Sequence, residues 1–155
     1  TLTTSAEYLD LCKFIQHELM LLGLDIRINV SPPAAIKEMK AQAKLPFFRA
    51  SWIADYPDAE NYLSLFYSRN FSPAGPNYTH YSNSAFDKLY ESSLAIINDS
   101  TRYEAYRAMD EMIMEEAAVI ILFYDEVLRF ISLDVEGLGS NPINLLDLTH
   151  VKKNN

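Results

Sequence analysis

The stretch Phe47-Phe48-Arg49-Ala50-Ser51-Trp52-Ile53-Ala54-Asp55-Tyr56-Pro57-Asp58-Ala59-Glu60-Asn61 reads as a strand running into a polar turn. Residues 47–53 are aromatic and apolar, with Arg49 and Ser51 interspersed. Pro46 ends whatever helix comes before them. Upstream, residues 1–4 look like a strand already under way. Thr4 and Glu7 then have capping-box spacing, and Tyr8, Cys12, Ile15, Leu19 and Leu22 form one helical stripe. Gly23 is placed to end that helix in a left-handed conformation. Leu24, Ile26, Ile28 and Val30 alternate with polar residues, as in a half-buried strand. Ser31-Pro32 reads as an N-cap followed by proline, opening a short helix that carries Ile36, Met39 and Ala43 inward. Strand, helix, strand, helix, strand predicts an α/β fold with a mostly parallel sheet flanked by helices.

Ligands of open parallel sheets bind beyond the carboxyl ends of the strands. Asp55 follows the end of a strand expected to be central, between Trp52 and Tyr56. A carboxylate held there, partly desolvated, suits a cationic partner such as an amine. A plain structural cap is the competing reading, and the residues alone leave both open. Asp58 and Glu60 fit the first turn of a following helix, where the helix dipole favours acidic groups. The segment is not a calcium loop, because Gly at the sixth position and Glu at the twelfth are missing in register.

Residues 68–83 look like a long surface loop containing Pro73, Gly75 and Pro76, a type of segment that often carries function. Ser84 with Asp87 reads as the cap of a helix bearing Phe86, Leu89, Tyr90 and Leu94. Asn98-Asp99-Ser100 separates it from a second helix bearing Tyr106, Met109 and Ile113. Residues 119–124 are continuously apolar and read as a strand buried on both faces. Phe86, Leu89, Leu94, Tyr106, Ile113 and 119–122 are the expected core. After Gly137 the sequence is irregular, with Pro142 and a short Leu145-Leu146 segment, and 150–155 reads as a frayed tail.

Composition narrows the function classes. The 155 residues suffice for one domain-sized core. Acidic residues number 21 against 13 basic, a net charge of -8, and no basic cluster reverses that locally, so nucleic acid is not an expected partner. Glycine is scarce, 4 of 155, where usual usage is about 7%. The four have no phosphate-loop spacing. Cys12 alone excludes an internal disulfide and a Cys-rich zinc site, and it reads as a small buried helix residue. His17, His80 and His150 lie on separate elements. The position four residues after His17 is Leu21, so the zinc-protease motif is absent, and no serine elbow occurs either. No metal, no cofactor and no catalytic residue is expected. The remaining catalytic option is an acid–base pair of Asp55 and Asp58.

The stretch 50–63 resembles the W-x-A-D-Y-x-x-P/A-x-x-F-L signature of oligopeptide- and dipeptide-binding proteins of bacterial ABC importers. Residues 77–87, from Asn77-Tyr78-Thr79 to Ala85-Phe86-Asp87, are similar to that family's Asn…Tyr…Phe-Asp segment. Asp99-Ser100-Thr101-Arg102-Tyr103 resembles its D-x-x-x-R step, one residue shorter. Residues 115–124 resemble its E-x-A-P/A-x-I-P-L-Y-Y strand, with Ile121 in the place of the proline. The helix ending Leu22-Gly23-Leu24 resembles a further step of the same lobe. Five motifs in order cover nearly the whole chain, and the match thins after Leu138.

The resemblance implies a type II periplasmic-binding-protein-like fold, of which residues 1–155 would be the C-terminal lobe of a longer, two-lobed protein. Residues 119–132 would be strands returning toward the hinge. It implies that Asp55 pairs with a peptide α-ammonium group. Trp52, Ile53 and Ala54 would meet the peptide backbone by β-augmentation, with Tyr56 beside them and Asn77 lining the cleft. The implied partners are a peptide, the N-terminal lobe of the same protein and a membrane permease. The implied location is periplasmic or extracytoplasmic, with membrane anchoring through an upstream segment. A solute other than a peptide is the alternative ligand.

Overall fold

The computed structural model describes residues 1–141 and 145–154. Pro142, in the tail expected to be irregular, and Asn155 lie outside them. Strand β1 (Leu2–Thr4) pairs in parallel with β2 (Ile28–Val30), Thr3 opposite Asn29. Helix α1 (Leu9–Leu21) makes the crossover between them. Helix α2 (Pro33–Ala41) then leads back to Phe48, which forms a parallel bridge to Thr3. The expected order of elements is kept, but β1 is the middle strand, and the strand expected over 47–53 is reduced to the single bridge at Phe48. Thr3 N–H donates to the Phe47 carbonyl at 3.0 Å, and Arg49 N–H to the Thr3 carbonyl at 3.0 Å. All three residues of β1 are buried, the pattern of a parallel strand whose sheet is covered on both faces.

Local chemistry sets the helix ends, not always where the spacing placed them. Thr4 is still in β1, and its hydroxyl donates to the Ser5 carbonyl, so no capping box forms. A 3-10 turn, Ala6–Tyr8, comes first and α1 follows it. At the other end Gly23 N–H reaches the Met20 carbonyl and Leu24 N–H the Leu19 carbonyl, a Schellman closure. Gly23 has φ +84°, which glycine adopts without a Cβ penalty. The Ser31 hydroxyl accepts from the Asn29 amide, leaving Pro32 as the residue before α2.

The core proper lies in the second half. Helix α3 (Glu60–Leu63), helix α4 (Ser84–Ser93) and helix α5 (Asp99–Glu115) enclose Leu63, Tyr81, Phe86, Tyr90, Tyr106, Met109 and Ile113. Tyr81 meets Phe86 edge-on at 5.5 Å, the arrangement that ring quadrupoles favour. Asn83, one residue before the expected cap, holds the start of α4: its Oδ1 accepts from the N–H groups of Ala85 and Phe86. Asn98 does the same for α5 through Thr101.

The loop 68–83 is more tightly built than a free surface loop. Asn77 is fully buried; its amide donates to the Tyr67 and Tyr81 carbonyls and accepts from the Thr79 hydroxyl. A Cβ on Gly75 would sit 2.5 Å from the Asn70 carbonyl oxygen, so only glycine permits that approach.

Two expectations fail downstream. Residues 119–132 join no ladder among the described residues. Ile120, Ile121 and Leu122 are exposed, and so is Leu94 on the far side of the core. Among these described residues only Val119, at the start of the run, packs against the core. The tail, in contrast, is not wholly frayed. Strand β3 (Val135–Glu136) pairs antiparallel with β4 (Lys152–Lys153), and Lys153 reaches Asp134 at 3.7 Å.

Candidate functional site

Residues 52–56 leave the third parallel segment and turn over α3. No backbone–backbone hydrogen bond engages Trp52, Ile53 or Ala54 among the described residues. Ile53 is exposed, and Trp52 and Ala54 are half-buried. One side chain fixes the turn. Asn61, 3% exposed in the first turn of α3, accepts from the Trp52 indole N–H at 2.7 Å and from the Asp55 backbone N–H at 3.2 Å. Its amide nitrogen faces Asp55 Oδ2 at 3.4 Å. The Asp55 carboxylate itself is exposed.

The neighbouring acids have other roles. Asp58 Oδ1 accepts the Glu60 N–H, and Asp58 Oδ2 lies 3.2 Å from the Arg102 guanidinium on α5. Glu60 is buried and accepts from both the Tyr56 and Tyr90 phenols. The Glu60 hydrogen bond, then burial, holds the Tyr56 phenol above its ordinary range. Burial, then Glu60, does the same to Tyr90. Glu60 is in the first turn of α3 as expected, whereas Asp58 precedes the helix; together they tie this end of α3 to α4 and α5. Asp58 is not available as a free base beside Asp55.

Asn77 stands apart from this group in role. Its amide groups are spent inside the loop, so the structure gives it a bracing function where a ligand contact was expected. The two residues that sequence reasoning missed are Asn61 and Arg49. An asparagine six residues after an aspartate carries no motif, and its role comes from the turn that folds it back.

A cleft of about 340 Å³ opens beside Trp52, walled by Tyr8, Ile36, Lys40, Arg49 and Tyr78 among others. The Arg49 guanidinium lies flat over the Tyr8 ring at 3.3 Å, and Lys40 Nζ lies 5.0 Å from the Tyr78 ring centroid. Burial, with Arg49 and Lys37 close by, lowers the Lys40 pKa. A smaller hollow near Gly137, Asn141, Asp147 and His150 contains none of these residues. Among the described residues no group of three or more His, Cys, Asp or Glu side chains is arranged to hold a metal.

No family model matches the chain. Among curated proteins it is 25% identical over 156 residues to the dipeptide-binding protein DppE of Bacillus subtilis, covering 99% of this chain and 28% of that one. It is also 25% identical over 124 residues to the periplasmic oligopeptide-binding protein OppA of Salmonella typhimurium, covering 79% and 22%. Among solved structures it superposes on DppA from Helicobacter pylori, determined with the peptide STSA, at TM-score 0.67 and 25% identity, covering 76% and 23%. A dipeptide-binding protein from Pseudoalteromonas, determined with Met-Leu, gives 0.70 at 21%, covering 93% and 28%.

The chain matches a segment of oligopeptide- and dipeptide-binding proteins. Its fold is the α/β, type II periplasmic-binding-protein-like arrangement of these peptide-binding proteins. The chain spans about a quarter of the length of the peptide-binding proteins it matches. Those relatives are binding proteins, and several are named periplasmic. No described helix of this chain is long and apolar enough to cross a membrane.

Proposed function

We propose that this chain is the C-terminal lobe of a peptide-capturing component of an ABC importer, working outside the cytoplasm and without catalysis. The observation that carries the reading is the conjunction at 52–55. A length of backbone without backbone partners ends on an exposed carboxylate whose position Asn61 sets. Amide groups of an incoming extended peptide can pair with 52–54 as an added strand. The Asp55 carboxylate then meets the peptide α-ammonium group in a charge-assisted hydrogen bond. Trp52 and Tyr56 flank that end. The cleft walled by Lys40 and Arg49 is positive, and suits a carboxylate elsewhere on the ligand. Backbone readout also accounts for tolerance of many side chains, since every peptide carries the same amides.

The opposite wall of the cleft would come from an N-terminal lobe, and 119–132 would run toward the hinge that joins the two. The loaded protein would deliver its peptide to a membrane permease, with anchoring through an upstream segment. An amine-bearing solute other than a peptide is the second ligand class the same carboxylate would serve.

The test is calorimetry on the two-lobed protein, comparing a free peptide with its N-acetylated form. Free peptide should bind more tightly, and Asp55→Asn should weaken it by about 1–3 kcal/mol, the scale of a lost charged hydrogen bond. Equal affinity for the two peptides would sink the α-ammonium role.

A further inference from the structure

We infer that Asn61 is the positioning residue that aims the Asp55 carboxylate, and so sets how strongly the site prefers a cationic ligand end. The inference rests on reading Asp55 as the partner of that cation.

The argument starts from donors and acceptors. The Trp52 indole N–H and the Asp55 backbone N–H can only donate. Both point at one atom of Asn61, at 2.7 and 3.2 Å, so that atom is the carbonyl oxygen and not the amide nitrogen. The orientation of the amide is thereby fixed, and its nitrogen is turned to Asp55 Oδ2 at 3.4 Å. Burial reinforces this. At 3% exposure Asn61 has little water to satisfy a flipped amide. The Ser64 hydroxyl donates to the Asn61 backbone carbonyl at 2.7 Å, holding the first turn of α3 in place.

Asparagine suits this position in a way its nearest substitutes do not. It is neutral, so it steers Asp55 without neutralising the charge that a cation must find. It donates to one oxygen of the exposed carboxylate and leaves Oδ1 without a hydrogen-bond partner among the described residues. Aspartate at 61 would accept the same two N–H groups but would set a second negative charge against Asp55. Like charges this close raise a carboxyl pKa. Leucine would leave two donors without a partner.

The test uses the two-lobed protein and an unmodified alanine tripeptide with its N-acetylated counterpart. The wild type should favour the free peptide by about tenfold or more, the scale of a charged hydrogen bond. A wild-type ratio of one overturns the Asp55 reading itself, before Asn61 is tested. With discrimination present, Asn61→Ala, which removes the amide facing Asp55 Oδ2, should pull the ratio toward one and move the acid limb of the affinity–pH profile to higher pH, because the charged carboxylate loses a hydrogen bond. A merely structural role would lower both affinities together and leave that limb in place, and such a result overturns the inference. If Asn61→Ala does not fold, Asn61→Gln decides the matter, because it keeps a neutral amide and displaces it by one methylene. Its ratio should fall, and an unchanged ratio overturns the inference.

Discussion

Tyr90 on α4 donates its phenolic proton to the buried carboxylate of Glu60 on α3, thirty residues earlier in the chain. The bond joins the turn that carries Asp55 to the packed helices behind it. Glu60 also accepts from Tyr56, so two phenols satisfy one buried carboxylate. Tyr90→Phe should leave half of that arrangement in place and cost about 1–3 kcal/mol in urea unfolding, since a buried acceptor loses its partner. Tyr56→Phe should cost less, because Tyr56 is 43% exposed and water can take its place. A Tyr90→Phe protein as stable as the wild type would show that the bond contributes nothing.

Alkaline pH should weaken the fold. Burial, then the Asp58 charge, pushes Tyr106 up to about 12, and burial, then Glu116, pushes Tyr81 to about 12. Tyr90 is raised as well. A phenol in the unfolded chain ionises near 10, so above that pH the folded state holds more protons than the unfolded one. The stabilisation is complete below about pH 10 and is lost as pH rises through about 12. Thermal unfolding followed from pH 9 to pH 12 should show a steady fall in Tm, with tyrosinate absorbance appearing late in the native protein. Absorbance rising fully near pH 10 while the protein is still folded would contradict this.

Asn83 serves two helices at once. Its oxygen caps α4, and its amide nitrogen donates to Glu116 at the end of α5 at 2.6 Å. Asn83→Ala should cost about 1 kcal/mol for the cap, with a smaller addition for the exposed second bond. Asn83→Asp should keep the cap and lose the Glu116 contact to charge repulsion, so its stability should fall between the two. Calorimetric unfolding of the three proteins would check the order, and an aspartate variant below the alanine variant would refute it.

The legible parts of this chain were those fixed by local chemistry. The α4–α5 pair follows from helical stripes and the polar break at 98–100, while the caps themselves are Asn83, one residue before Ser84, and Asn98. Gly23 was legible because a left-handed closure selects glycine directly. Asp55 stood out because it follows a strand end, although the middle strand proved to be β1. The unreadable parts depend on what comes near from elsewhere. Nothing in Glu60 announces Tyr90, and nothing in Asn61 announces the indole of Trp52. Asn77 sat at a motif position but became enclosed by its own loop. The run 119–124 reads as buried because apolar runs usually are; that inference needs a covering layer, and only Val119 finds one in the core while 120–124 stay exposed.

The same run bears on how copies of this chain would meet one another. From Ile120 to Leu133 the described chain exposes ten large apolar side chains along backbone that joins no ladder among the described residues. Extended apolar segments with free backbone groups recruit other strands. Asp125 and Glu126 interrupt this one near its middle. Two copies laid side by side in register would set those acids against each other, and cross-strand like charges repel. Asp125 and Glu126 thus stand where charges flanked by apolar residues oppose self-pairing.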